Sequence, residues 1–296
     1  MRKTRASLFK TLGLAFLMLW AGPALASETE AKEAILLVAF GTSVQKAQVA
    51  YANVEKQVKA AFPGKEIQWA WTAHSLLKSD PKNPRLSLQE ALAKLATEGV
   101  KKVAILSLHV IPGIEYSNLV HTAHAFAGLP KGIEEVKISH PLLYDAASLK
   151  ETAEALIKGA PKGRKPGEAL VFVGHGTSHA AGVYYPALQY YLGVLDKNAF
   201  VGTLDFEKGD KHTEGSPSQE DILNALKANN TRKVWLAPLM TVAGEHTAND
   251  LFGSEEDSWK QVFTAGGLAV ETVNQGLGEN PALVERWVQN LKNAMN

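Results

Sequence analysis

The chain has 296 residues, with 31 lysines and arginines against 30 aspartates and glutamates, a net charge of +1 and no cysteine. Cysteine-ligated zinc, iron–sulfur clusters and thiol catalysis are excluded, so any metal must be handled by histidine and carboxylate. A chain this long can bury an apolar core that needs no disulfide.

The opening stretch, MRKTRASLFKTLGLAFLMLWAGPALASETE, reads as a targeting segment. Arg2, Lys3, Arg5 and Lys10 make a positive start, Leu14 to Trp20 a short apolar run, and Ala24-Leu25-Ala26 an A-x-A cleavage site, the layout of a secretory signal peptide. Residues 1–26 are therefore expected to be removed, giving a periplasmic mature chain that starts near Ser27 and keeps no membrane span. An uncleaved membrane anchor is the alternative, and the absence of cysteine after the run excludes a lipid anchor. Cleavage would take four basic residues and no acidic ones, moving the charge from +1 to −3. A mildly acidic surface without a basic stripe argues against nucleic acid or anionic membrane as partner.

After the leader, strand-like runs appear in the order AILLVAF, IQWAW, KKVAILSL, ALVFVG, AFVGTL, RKVWLAPL and LAVETV. They are continuously apolar, as strands buried on both faces are. Helical patterns such as LSLQEALAKLATEG, SLKETAEALIKG and SQEDILNALKANN lie between them. The alternation predicts an α/β fold with parallel sheets covered by helices on both sides.

The chain also repeats itself. FGTS at 40–43 matches HGTS at 175–178, SLQEALAKLATEGVKKV from Ser87 matches PSQEDILNALKANNTRKV from Pro217, and KVAILSLHVIPGIEY from Lys102 matches KVWLAPLMTVAGEHT from Lys233. The offsets of 135, 130 and 131 residues are those of a duplicated unit with small loop changes. Two similar α/β lobes are expected, at 27–145 and 146–296, joined around residues 140–168, where KGAPKGRKPGE marks the boundary. Ligands of open α/β sheets bind beyond the carboxyl ends of the strands. The repeated strand-end loops of both lobes should thus face one cleft.

The two copies differ where chemistry would sit. Phe40 corresponds to His175, and Glu115 in IPGIEY corresponds to His246 in VAGEHT. Two imidazoles and a carboxylate suit a first-row divalent ion such as Co²⁺, Fe²⁺, Ni²⁺ or Zn²⁺, with Phe40 as an aromatic wall. Each alone has a bland reading, as a hydrogen-bonded turn histidine or a helix-start acid. Matched positions in a repeat make the coincidence harder to dismiss. No G-x-G-x-x-G or G-x-x-x-x-G-K pattern supports a nucleotide site.

Taken together, AILLVAFGTS, SLHVIPGIEY, VFVGHGTSH and LMTVAGEHTANDLFG resemble the anaerobic sirohydrochlorin cobaltochelatases, relatives of the ferrochelatases, over roughly residues 33 to 295. The resemblance implies two Rossmann-like lobes around a tetrapyrrole cleft and ATP-independent insertion of Co²⁺, or of Fe²⁺, into a sirohydrochlorin-type ring. It makes His175 and His246 the metal-handling histidines and Glu115 the cleft carboxylate. Where the family reads like GTVEGYPS, this chain has GTLDFEKGDKHTEGSPS at 202–218, an insertion that puts Glu214 in the place of the family glutamate as a third metal ligand. His212 in the insertion reads as a solvated loop residue.

Neutral imidazoles can bind the ion near pH 7 and accept a pyrrole proton, the latter a contribution of roughly 10²–10⁴-fold. Two or three side-chain ligands leave the site open enough to release the metal to the ring. Phe40 and Tyr184, with Tyr116, Tyr185 and Met240, are candidates to line the ring, although core packing explains each singly. His121 and His124 in SNLVHTAHAFAG lie one helical turn apart, suiting a second metal, haem at a subunit interface of a homo-oligomer, or plain solvated histidines. Because an exported chelatase is unexpected, the competing class is a periplasmic protein that binds or carries metal or tetrapyrrole without turnover.

Overall fold

A computed structural model describes residues 31–77, 84–204 and 217–296. The leader and the insertion bearing His212 and Glu214 lie outside the described residues, so the expectations placed on them are not addressed by the fold.

In chain order the elements are β1 (Glu33–Ala39), α1 (Val49–Ala61), β2 (Glu66–Trp71), the single turn α2 (His74–Leu77), α3 (Leu88–Thr97), β3 (Lys102–Ser107), α4 (Ile114–Phe126), β4 (Glu135–Ile138), α5 (Ala146–Lys158), β5 (Ala169–Gly174), α6 (Tyr184–Leu195), β6 (Ala199–Thr203), α7 (Gln219–Ala228), β7 (Lys233–Pro238), α8 (Trp259–Ala265), β8 (Ala269–Thr272) and α9 (Pro281–Met295). Two four-stranded sheets, ordered β2-β1-β3-β4 and β6-β5-β7-β8, are parallel throughout. This is the duplicated α/β architecture that the sequence predicts.

The central strands β1 and β5 are buried along nearly their whole length, which is why their sequences carry no polar alternation. The seven strands read from the sequence are all present. An eighth, β4, was not anticipated: EVKI is short, half charged and lies at a sheet edge, so it lacks the apolar run of a central strand.

Helix starts repeat with the strands. Ser87 caps α3 and Ser218 caps α7, each in a reciprocal capping box, with Glu90 and Asp221 respectively. Leu88, Ala91, Leu92 and Leu95 of α3 turn inward against Leu36, Val38 and Ile105; Ile222 and Leu226 of α7 do the same against Val171 and Leu236.

Each lobe thus has a core of its own, and a third core joins them. It runs from Ile35 and Leu37 through Leu106 and Leu170 to Trp287 and Leu291. The partition expected at 145/146 leaves β5–β8 and α5 in the second lobe, where α5 packs on α6. The terminal helix α9 instead returns to the first lobe and packs against α1, β3 and β4. Lys137 Nζ of β4 donates to the Met295 carbonyl at 2.7 Å, pinning its end. Trp287, the largest side chain that α9 contributes, is fully buried at this docking, and its indole N–H finds no partner among the described residues.

Candidate metal-handling site

The strand-end turns are built alike in both lobes. After β1 and β5 the chain bends through Gly41 (φ +110°) and Gly176 (φ +80°), a left-handed conformation that glycine adopts without strain. At Gly176 a Cβ would also lie 2.7 Å from the Leu204 carbonyl oxygen, so no other residue fits. The residue before each glycine, Phe40 or His175, is thereby held at the carboxyl end of the central strand.

The turns interlock across the lobes in a reciprocal pattern. A Cβ at Gly244 would stand 3.1 Å from Thr42 Oγ1, and one at Gly113 would stand 3.8 Å from Thr177 Oγ1. Thus the turn bearing Phe40 meets the turn bearing His246, while the turn bearing His175 meets the start of α4 and Glu115. Ser43 Oγ donates to Glu245 Oε1 at 2.5 Å, and Thr241 Oγ1 donates to the Leu108 carbonyl at 2.6 Å, closing the joint.

Within this joint His175 and His246 come together, with ring centroids 4.7 Å apart and planes at 82°. His175 is partly buried, and its pKa is pushed below 6.5, first by loss of solvent and then by the neighbouring His246. The Gly176 carbonyl, 3.4 Å from Nδ1, and Asp250 oppose the shift without cancelling it. The imidazole is therefore neutral at neutral pH, the form that accepts a metal or a proton.

His246 sits more openly, 53 % exposed, with Nδ1 2.8 Å from Asp250 Oδ2. With Nδ1–H donating to the Asp250 carboxylate, the Nε2 lone pair stays available, the arrangement by which a carboxylate orients a metal-binding histidine. Asp250 belongs to a five-residue π-helical turn, Thr247–Leu251, that begins directly after His246. Such turns concentrate at functional sites. Sequence reasoning missed Asp250; its signal was the i, i+4 spacing from His246, legible only once a helical turn is placed there.

Glu115 lies partly exposed in the first turn of α4, whose N-cap Gly113 offers no side-chain cap. No described contact joins Glu115 to either imidazole, and no three His, Asp or Glu side chains among the described residues converge on one point. Phe40 is 48 % exposed, as a cleft wall would be. Tyr184 Oη donates to the Tyr144 carbonyl at 2.7 Å, and Tyr116 stays protonated because burial raises its pKa to about 12. His121 and His124 are both exposed on α4.

Three further histidines have structural explanations. His179 Nδ1 accepts from Ala181 N, His140 stacks on Tyr144 at 3.7 Å, and His74 begins α2. His109, two residues beyond β3, is only half satisfied. Its backbone N–H donates weakly to Ser107 Oγ at 3.4 Å, and the same hydroxyl shares a hydrogen bond of 2.9 Å with Nδ1. That Nε2 is buried without a partner, and burial pushes the ring's pKa down to about 4.

With this geometry in place, the chain can be set beside known proteins. The family model described as cobalt chelatase (CbiK) matches residues 33–296. This chain belongs to the cobalt chelatase family. Its similarity to "Sirohydrochlorin cobaltochelatase CbiKC" of Nitratidesulfovibrio vulgaris is 33% identity over 267 residues, 90% of this chain and 91% of that protein. To "Sirohydrochlorin cobaltochelatase" of Salmonella typhimurium it is 31% over 269 residues, 90% of this chain and 97% of that one. Among solved structures, SirB from Bacillus subtilis with Fe³⁺ matches with a TM-score of 0.57 at 14% identity, covering 89% of this chain and 95% of that one. DR2241 from Deinococcus radiodurans, described as structurally similar to chelatases, matches at 0.58 and 14%, covering 90% of this chain and 56% of that one. These two likenesses speak to the cobalt chelatase fold, in which the His175–His246 pair occupies the joint between lobes.

Proposed function

We propose that this chain is a sirohydrochlorin metal chelatase that inserts Co²⁺, with Fe²⁺ as the other candidate, without nucleotide hydrolysis. The observation that carries this reading is the pair of facing imidazoles at the lobe joint of a cobalt chelatase fold. The printed names of two relatives more than 30% identical over 90% of the chain support the substrate. A SirB structure holds cobalt and another Fe³⁺, which supports these metals as the ones such a fold accepts.

In the mechanism, His246 presents Nε2 to the incoming ion while Asp250 holds its ring. His175 shares the ion or takes a pyrrole proton, and its lowered pKa keeps it unprotonated for either task. Glu115, from the first lobe, relays the second proton, and Glu214 adds a third ligand. Phe40 and Tyr184 line the ring. A site with few side-chain ligands binds the ion weakly enough to give it up.

The same proposal extends to export through cleavage near Ser27 and a role in the periplasm, which the leader sequence supports. It also includes a second metal or a haem on His121 and His124, three residues apart on an exposed helix face, within a homo-oligomer. Among the described residues no helix is long and apolar enough to cross a membrane.

The test is anaerobic incubation of the mature protein with sirohydrochlorin and Co²⁺ or Fe²⁺, following the absorbance of the metallated ring. Many turnovers per protein support the chelatase; one stoichiometric change that then stops supports a carrier and overturns it.

A further inference from the structure

We propose that Arg85 is the cation that recognises a substrate carboxylate at the rim of the cleft and so favours a carboxylate-rich ring. This rests on the chelatase reading and adds the residue that selects the substrate. A carboxylate-rich ring meets a chain with almost no net positive charge, +1 in full and −3 after cleavage, so binding requires a local cation.

Arg85 is placed for that task by elements around the turn bearing Phe40. Its Nη1 donates to the Thr42 carbonyl at 2.9 Å, and its guanidinium lies over the Trp71 ring, 5.4 Å from the centroid. Trp71 is itself fixed, stacked on Trp69 at 5.0 Å and 4°, with Tyr51 edge-on at 4.9 Å. The backbone on either side is held as well, since the Leu86 carbonyl accepts from Trp71 N and Ser87 opens the capping box of α3. The fork is thus pre-positioned, and little freedom remains to be lost on binding.

Arg85 is held in place yet lacks a counter-charge; the exposed Arg232 also forms no ion pair among the described residues, but nothing there fixes it over an aromatic ring. Arg164 pairs with Asp196 and Arg286 with Glu151, whereas no carboxylate among the described residues pairs with Arg85. The Thr42 carbonyl occupies one of five N–H donors, and the side chain is partly exposed. The remaining donors of a guanidinium match one carboxylate in a two-pronged bond. The location is at the joint: Thr42 abuts Gly244, and Ser43 bonds Glu245, the residue before His246. A ring centred over the imidazole pair would bring its peripheral carboxylates toward this wall.

The test is steady-state metallation by the full mature chain, comparing Arg85→Gln and Arg85→Lys with wild type. Arg85→Gln is expected to raise KM for sirohydrochlorin roughly ten- to thirtyfold with kcat within about twofold. Arg85→Lys, which keeps the charge and loses the fork, should fall between. The rise of KM with added salt should be shallower in Arg85→Gln than in wild type, a readout that a purely structural role would not move. An Arg85→Gln protein that melts like wild type with unchanged KM overturns the proposal. If Arg85→Gln does not fold, an Arg85→Lys protein with the wild-type KM overturns it instead. Should the wild type show no turnover, the chelatase reading fails by itself, and the same comparison is read from equilibrium binding of the metal-free ring.

Discussion

The two strand-end turns of this molecule share a backbone and differ in chemistry. Phe40-Gly41-Thr42-Ser43 and His175-Gly176-Thr177-Ser178 both bend at a left-handed glycine, and each threonine packs against a glycine of the opposite lobe. The scaffold is therefore symmetric, and function lies in what breaks the symmetry. Phe40 gives way to His175, Glu115 to His246, and both histidines fall on one side of the joint, 4.7 Å apart. A symmetric pair of half-sites would have offered two equivalent positions for the ion. The asymmetric arrangement places the two imidazoles on one lobe and an aromatic and a carboxylate on the other; in the proposed mechanism a flat ring held between them would meet metal on one face only.

The largest expected effects come from erasing this difference. His175→Ala and His246→Ala should each lower turnover by roughly 10²–10⁴-fold while circular dichroism and melting remain those of the wild type. Normal insertion rates in both variants would sink the site assignment. Asp250→Asn keeps the shape but removes the charge that sets the His246 tautomer, and should cost 10–100-fold, roughly, in Co²⁺ affinity. Isothermal titration of Co²⁺ in the absence of the ring reads this directly; an unchanged affinity would show that the pairing is incidental.

The pH dependence sharpens the comparison further. Because the pKa of His175 lies below 6.5, its neutral form persists into mildly acidic solution, and the acid limb it imposes on kcat/KM should fall below pH 6.5. The rate rises with pH through that limb. In His175→Phe, which imports the residue of the first copy, any residual activity should lose it.

The smallest effect concerns stability and the other asymmetric position, His109, whose counterpart in the second copy is Met240. A histidine whose folded pKa, about 4, lies below its unfolded value of 6.5 binds fewer protons when folded across that window. Its contribution is present above pH 6.5 and is lost as the pH falls toward 4. Between pH 7 and pH 5 this should destabilise the protein by about 2 kcal/mol, and His109→Met should remove that part of the loss. Urea unfolding of both proteins at the two pH values measures it, and equal pH dependence would contradict the buried neutral assignment.

Much of this was legible in the sequence because the relevant signals are local or repeated. The central strands announce themselves as unbroken apolar runs, and the repeat aligned Phe40 with His175 and Glu115 with His246 before any coordinates were needed. What escaped was short, charged or distant. EVKI at β4 has too few apolar residues to register as a strand. The return of α9 to the first lobe depends on tertiary packing of Trp287 and Leu291, which no window along the chain contains. Asp250 acquires meaning only through the π-helical turn that brings it to His246. Arg85 carries no motif along the chain, and its placement depends on Trp71 and Thr42, which hold it.

The central claim is that catalysis resides in the asymmetry between copies, and the most direct measurement is anaerobic metallation of sirohydrochlorin by wild type and by His175→Phe/His246→Glu. That variant gives the second lobe the residues of the first and leaves both glycine turns untouched. The account predicts many turnovers for the wild type, and for the folded variant a rate no higher than that of metal and ring without protein. A folded variant that inserts cobalt as fast as wild type would contradict it.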